Sequence, residues 1–448
     1  MKVRNQEMKK RIVAGLLALM MIAGCGTGST GNTGNGSGGS RSREYSSTNV
    51  AETVEPLVIN VENGDIEDEW VQSLSASSMN LLSEIMESEG EGRNIMISPT
   101  SMMMAFGMLE NGASGATLSD IENVIGGGLA VEQMNPMMYS LAKRFESSED
   151  VRWNVANSVW LRDDGRFEIV PEFAQAARSY YNADIWKAAF DEKTVEDINA
   201  WADEQTYGMI KEIIDAIDPE TYMYLINAVA FEGEWMNEYE DTDIWEDYEF
   251  HNYDGTTSNV NMLCSTESRY MELGNGIGFV RPYKGGDYSF VGILPEEGTS
   301  VEDYIASLAD SGADFAEAFR NAKGYESDII VKFPEFKNEY EIEMAELLKS
   351  MGMETPFDPD NADFTGLIAA SGDQEYPVYI GAVLHKTFIE VNREGTRAAA
   401  VTSITLDCAG VEPDFVPPMI ITLDRPFVYA VVDNETGLPV FLGTVSSL

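Results

Sequence analysis

From about Ile66 to Leu448 the hydrophobic patterning never lapses, and no low-complexity linker interrupts it. That continuity is the strongest constraint on the fold. Domain boundaries fall in polar, Gly- or Pro-rich connections, so about 380 residues without one read as a single large domain. Trp70, Val71, Leu74, Met79, Leu82, Ile85 and Met86 recur at helical spacing until Gly90 and Gly92 stop the helix, and the methionines of this stripe are core material. Ser101 to Leu109, Ile198 to Ile213 and Glu339 to Met351 are predicted as further helices. Between them, Tyr224 to Phe231, Tyr288 to Leu294, Ile329 to Phe333 and Phe427 to Val432 read as strands. There is no fixed-period repeat, and this interleaving predicts an α+β fold.

Composition removes several function classes. The chain has 76 acidic against 29 basic side chains, a net charge of −47, so a phosphate backbone is not an expected partner. With 10% aromatic residues it has material for a substantial core and is not a disordered acidic protein. Three cysteines cannot make a disulfide framework, and His251 and His385 are the only histidines, too few for a zinc site or a His relay. No metal and no cofactor is expected. There is no GxSxG and no HExxH, which argues against a hydrolase.

The first 66 residues lie outside that domain. Lys2, Arg4, Lys9, Lys10 and Arg11 precede an apolar run from Ile12 to Ala23 that is short for a bilayer span and reads as an export signal. Its end, Ala23-Gly24-Cys25, resembles the bacterial lipobox, which implies cleavage after residue 24, lipid attachment at Cys25 and display outside a bacterial cell, anchored or shed. Cleavage would leave 24 Lys+Arg and 75 Asp+Glu, a body at −51 that repels anionic surfaces and could steer basic proteins toward it. Gly26 to Ser40 contains only Gly, Ser, Thr and Asn, so residues 25–66 are expected to form a flexible tether, with a coil reach of about 25–30 Å for roughly 24 residues. Its two GxGxxG matches have no strand before or helix after, and they are compositional accidents.

Several segments, taken in order, resemble the serpin family. They begin with Asn94-Ile95-Met96-Ile97-Ser98-Pro99-Thr100-Ser101 and Gly112 to Thr117, then Ala156-Asn157-Ser158, Ile198-Asn199-Ala200-Trp201, and Leu225 to Phe231 with Gly233 and Trp235. Lys332-Phe333-Pro334-Glu335-Phe336, Met351-Gly352-Met353, Ala362-Asp363-Phe364, His385-Lys386, Glu394-Gly395-Thr396, Arg425-Pro426-Phe427 and Phe441-Leu442-Gly443 complete the set. The resemblance covers about residues 67–448. It implies one domain of three β-sheets surrounded by helices, an exposed reactive-centre loop at about 393–418, and suicide inhibition of proteases: the cleaved loop inserts as a new strand before the acyl-enzyme hydrolyses. The implied partner is a serine protease, with a cysteine protease also open, met by a monomer. Ser98, Ser101, Asn227 and His385 match positions the family uses as a hydrogen-bonded shutter, and Trp235 matches the place where insertion begins.

The loop can be read residue by residue. Side chains alternate faces along a strand. Thr396, Ala398, Ala400, Thr402, Ile404 and Leu406 form an uncharged face, whereas Arg397, Ala399, Val401, Ser403, Thr405 and Asp407 hold both charges. Neither Pro nor Gly interrupts 396–408, so every N–H can join a ladder, and thirteen residues span about 43 Å. Small residues from Glu394-Gly395-Thr396 through Ala398, Ala399, Ala400 and Thr402 suit a hinge that slides between packed strands without a desolvation cost. Arg393 and Arg397 stand where the family often has acidic residues; Arg397 faces outward. The family's hinge length places the scissile bond at Ala409-Gly410, flanked by Cys408 and Val411, and a small residue there suits an elastase-like enzyme. Cys408 is a loop thiol open to oxidation, while Cys264 is expected to be a buried thiol and His251 falls in a hairpin turn with no assigned role. The competing reading is a serpin-fold binding protein at the cell surface that does not inhibit; charged or Pro-containing hinges would favour it. A lipid-anchored solute-binding protein would share the tether but not the alternating loop.

Overall fold

In the computed structural model, which describes residues 44–59, 68–125, 127–146, 150–371, 378–396 and 416–448, the strands gather into three large sheets and one two-stranded pair. The largest has seven strands in the order Thr48–Asn49, Asp184–Ala188, Val151–Arg162, Met223–Glu234, Gly395–Thr396, Ala382–Val391 and Phe336–Glu343. A six-stranded sheet runs Met96–Ile97, Pro439–Val445, Phe427–Asp433, Tyr288–Pro295, Gly276–Pro282 and Arg269–Leu273. The third comprises Met419–Thr422, Ile329–Pro334, Thr257–Glu267 and Ile244–His251, and Ile368–Ala370 pairs with Phe167–Ile169.

Burial explains why the inner strands read as continuous apolar runs. Met223 to Phe231, Phe427–Asp433 and Pro439–Val445 are buried at every position, the pattern of strands covered on both faces. Between the two larger sheets lies the helix Pro99–Glu110, buried along its whole length, methionines included. Ser98 caps its N-terminus and Pro99 occupies the first turn, where its missing N–H costs nothing. The long helix Asp68–Glu89 buries Trp70, Val71, Leu74, Met79, Leu82, Ile85 and Met86 and ends at Gly90, whose φ of +84° is a conformation glycine adopts without strain.

Three sequence expectations are corrected. Glu339 to Met351 is not one helix: Phe336–Glu343 alternates buried and exposed residues, a period of two, and the helix is only Ala345–Ser350. Ile198 to Ile213 is helical only as far as Gln205, because Tyr207 and Gly208 turn left-handed and Thr206 Oγ takes over the chain end, donating to the Ala202 carbonyl and accepting from Ile210 N–H. The packed body also begins at Tyr45, inside the stretch read as tether. Thr48 and Asn49 extend the seven-stranded sheet beside Lys187 and Trp186, and Tyr45 packs its ring 4.8 Å from that of Trp186. Asp197 accepts four hydrogen bonds from the amides and hydroxyls of Ser46 and Ser47. Such a segment needs few apolar side chains beyond Tyr45 and the buried Ala51, because a sheet edge and a buried carboxylate require only donors and acceptors.

Candidate functional site

The strands at the centre of the seven-stranded sheet place three polar residues level with one another. Asn157 is the register partner of Asn227 in the neighbouring strand, and Asn227 that of His385 in the next. All three are essentially inaccessible, so partners for their polar atoms have to come from within the protein. Ser98 N–H can only donate, and it donates to His385 Nε2 at 3.1 Å; Nδ1–H is therefore the donor to Asn227 Oδ1 at 2.6 Å. Asn227 Nδ2 donates to Asn157 Oδ1 at 2.6 Å and to the Ser101 hydroxyl, while Ser98 Oγ donates to the Val440 carbonyl at 2.6 Å. The structure thus brings Ser98, Ser101, Asn227 and His385 into one hydrogen-bonded chain. Burial pushes the His385 pKa down to about 3, so the ring is neutral with both nitrogens engaged, an arrangement for holding strands and not for moving protons.

Sequence reasoning did not assign Asn157 a place in this row. Its segment was visible, but a role for it depends on the register between Val151–Arg162 and Met223–Glu234, which no local pattern encodes. Its own amide Nδ2 has no partner among the described residues.

The row spans a seam. Met223–Glu234 and Ala382–Val391 pair directly and in parallel from Tyr224 with Ala382 to Ala230 with Phe388. Above that level they part, and Gly395–Thr396 lies between them, antiparallel to both: Gly395 faces Glu234, and Thr396 faces Gly233 on one side and Val391 on the other. Glycine at 395 is demanded by the close approach, since a Cβ there would stand 2.2 Å from the Gly233 carbonyl oxygen. Thr396 is fully buried, and its hydroxyl meets Tyr283 OH at 2.6 Å. The preceding turn is tied on both sides. Asn392 Oδ1 accepts from the amides of Glu394 and Gly395, and Trp235 N–H donates to the Glu394 carbonyl at 3.0 Å. Trp235 Nε1 donates to Asn392 O at 2.9 Å, and Tyr239 N–H to Arg393 O at 3.2 Å. Arg393, which stands where the family often has an acidic residue, pairs through its guanidinium with Asp241 at 2.6 Å, and its amide donates to Glu335.

Other expected positions fall elsewhere. Ala398, Ala399, Ala400, Thr402, Cys408, Ala409, Gly410, Val411 and Arg397 lie outside the described residues, as does Cys25. Cys264 is half-buried, not fully buried, standing just past the buried pair Met262-Leu263; burial still pushes its thiol pKa up. His251 closes the strand Ile244–His251 ahead of the turn to Thr257. Among the described residues no group of three or more His, Cys, Asp or Glu side chains is placed to hold a metal ion.

This geometry coincides with sequence and structural likeness. The sequence model of the family described as Serpin (serine protease inhibitor) matches residues 72–448. The chain is 30% identical to Serpin-ZXA of Oryza sativa subsp. japonica over 375 residues, covering 80% of this chain and 90% of the relative. It is 28% identical to Iripin-8 of Ixodes ricinus over 400 residues, covering 85% of this chain and 95% of the relative. The thermophilic serpin tengpin in its native state superposes with a TM-score of 0.81 at 39% identity, over 90% of this chain and all of tengpin. Its latent state superposes with 0.71 at 38%, over 86% and 99%.

Proposed function

The chain belongs to the serpin family, a family of protease inhibitors that are not themselves enzymes and that includes some non-inhibitory members, and from that premise we propose that it is a suicide inhibitor of serine endopeptidases that works by inserting its cleaved loop into the seven-stranded sheet. One observation carries this reading. Gly395–Thr396 already occupies the mouth of a slot whose lower part is closed by direct pairing of the two flanking strands. A strand entering from that end would continue along the same two edges and would have to break the His385–Asn227 hydrogen bond as it passed. The uncharged inner face from Thr396 to Leu406 suits that passage.

The finer parts of the proposal rest on sequence. Cleavage falls at Ala409-Gly410, with Cys408 and Val411 as neighbouring candidates, which suits an elastase-like serine protease and leaves cysteine proteases open. The protein acts as a monomer, held outside a bacterial cell by lipid on Cys25.

Incubation with an elastase-like protease should yield a covalent complex that survives SDS. Clean cleavage without such a band would instead support the binding-protein reading. The mass of the released C-terminal fragment fixes the scissile bond. Radiolabelled palmitate should be incorporated by the wild type and lost in Cys25→Ser; labelling of both would remove the anchor.

A further inference from the structure

Arg281 is a cation buried below the hinge turn, and the hydrogen-bonded row at Asn227 does not use it. It sits near the end of the strand Gly276–Pro282 and is 4% exposed. Its guanidinium carbon lies 4.1 Å from the ring centre of Tyr239 and 5.0 Å from that of Trp235, and Trp235 stacks on Tyr283 at 4.7 Å. One guanidinium nitrogen donates to Glu267 Oε1 at 2.5 Å and another to the main-chain carbonyl of Asn237. Glu267, also buried, accepts from the Ser265 hydroxyl at 2.7 Å, which in turn accepts from Tyr239 OH at 3.2 Å.

A buried ion pair is a poor source of stability, since apolar side chains of similar volume serve as well or better. What a guanidinium offers is direction, through a planar fork of donors and a face that packs on aromatic rings. Here the fork and the face act on the segment Trp235 to Tyr239. The same segment supplies all three donors to the consecutive carbonyls of Asn392, Arg393 and Glu394. Resting on the inhibition proposed above, we infer that Arg281 is a positioning residue for loop insertion: it holds Trp235, Asn237 and Tyr239 in the arrangement that registers the hinge turn, so that Thr396 stays seated between Gly233 and Val391 and the residues after it follow in register. Without it the turn slides on its platform, and the cleaved loop enters late.

The test compares wild type with R281K, which keeps the charge but loses the fork, and with the double variant R281L/E267Q, which leaves no unpaired carboxylate. Hydrogen exchange is followed in the peptide containing Trp235 to Tyr239, alongside the thermal midpoint and the stoichiometry of inhibition. In the double variant exchange should accelerate at least tenfold at the Trp235 and Tyr239 amides while the thermal midpoint is unchanged or higher. Its stoichiometry should rise at least threefold, the excess appearing as cleaved, uncomplexed inhibitor, with R281K intermediate. Unchanged exchange and stoichiometry would overturn the inference, as would a rise in stoichiometry that merely follows a falling thermal midpoint. If the double variant does not fold, R281K carries the same two readouts. If wild type itself forms no covalent complex, the inhibition reading fails, and the exchange measurement still decides whether Arg281 positions the turn.

Discussion

Glu110 ends the helix Pro99–Glu110 and is 2% exposed, with neither carboxyl oxygen partnered among the described residues. Burial, with Glu122 nearby as a second negative group, pushes its pKa up to about 8 from an ordinary 4.5, and the negative end of its own helix acts in the same direction. The consequence for stability has a definite sign. Between pH 4.5 and 8 the unfolded chain has released this proton while the folded chain retains it, so stability falls as pH rises through that window. At 1.36 kcal/mol per pH step, the loss is about 3 kcal/mol at pH 7 and about 5 kcal/mol above pH 9. Glu110→Gln keeps the shape and cannot ionise. Denaturant unfolding of both proteins from pH 5 to 9 should therefore show a difference that grows in favour of the variant by about 3–4 kcal/mol, whatever its offset at pH 5. A difference that stays flat over this range would refute the reasoning, because a buried carboxyl without partners cannot be indifferent to pH.

Three further outcomes are expected. His385, pushed down to about 3, binds its proton in the unfolded state below about pH 6.5 but not in the folded state, so stability should drop between pH 6.5 and 3; His385→Gln should flatten that acid limb in a urea titration. Tyr283→Phe leaves the Thr396 hydroxyl buried without its 2.6 Å partner and should cost about 1–3 kcal/mol, read by denaturant midpoint, with a lesser effect once Thr396→Val is added. Gly395→Ala forces a methyl against the Gly233 carbonyl and should displace Thr396 from the sheet, raising the stoichiometry of inhibition several-fold; an unchanged value would mean that the turn can move without consequence.

Much of this architecture was legible before any coordinates. The strands at Tyr224, Tyr288 and Phe427 could be seen because nearly every position is buried and most are therefore apolar, and that at Ile329 because it is dense in β-branched and aromatic residues. Phe336–Glu343 was hidden: Glu339, Tyr340, Glu341 and Ile342 are compatible with either period over so short a run, and only the pairing with Ala382–Val391 decides between them. The segment from Tyr45 escaped for a different reason. It is held mainly by hydrogen bonds to Asp197 and to a sheet edge, and its few apolar contacts, such as Tyr45 on Trp186, are too sparse to show a hydrophobic period.

The same division runs through the site. Sequence by itself determined the residue types: an uncharged alternating face in the loop, a glycine before Thr396, a histidine and an asparagine in two strand segments, a serine before the helix at Pro99. Each follows from a local requirement for size, polarity or backbone freedom. The tertiary structure alone decided that Asn157, Asn227 and His385 share one level, that Arg281 lies beside both Trp235 and Tyr239, and that Gly395–Thr396 stands in the mouth of a slot closed below it. Strand register and long-range packing bring together residues tens to hundreds of positions apart, and a one-residue slip in the sheet would turn Asn157, Asn227 or His385 to the other face.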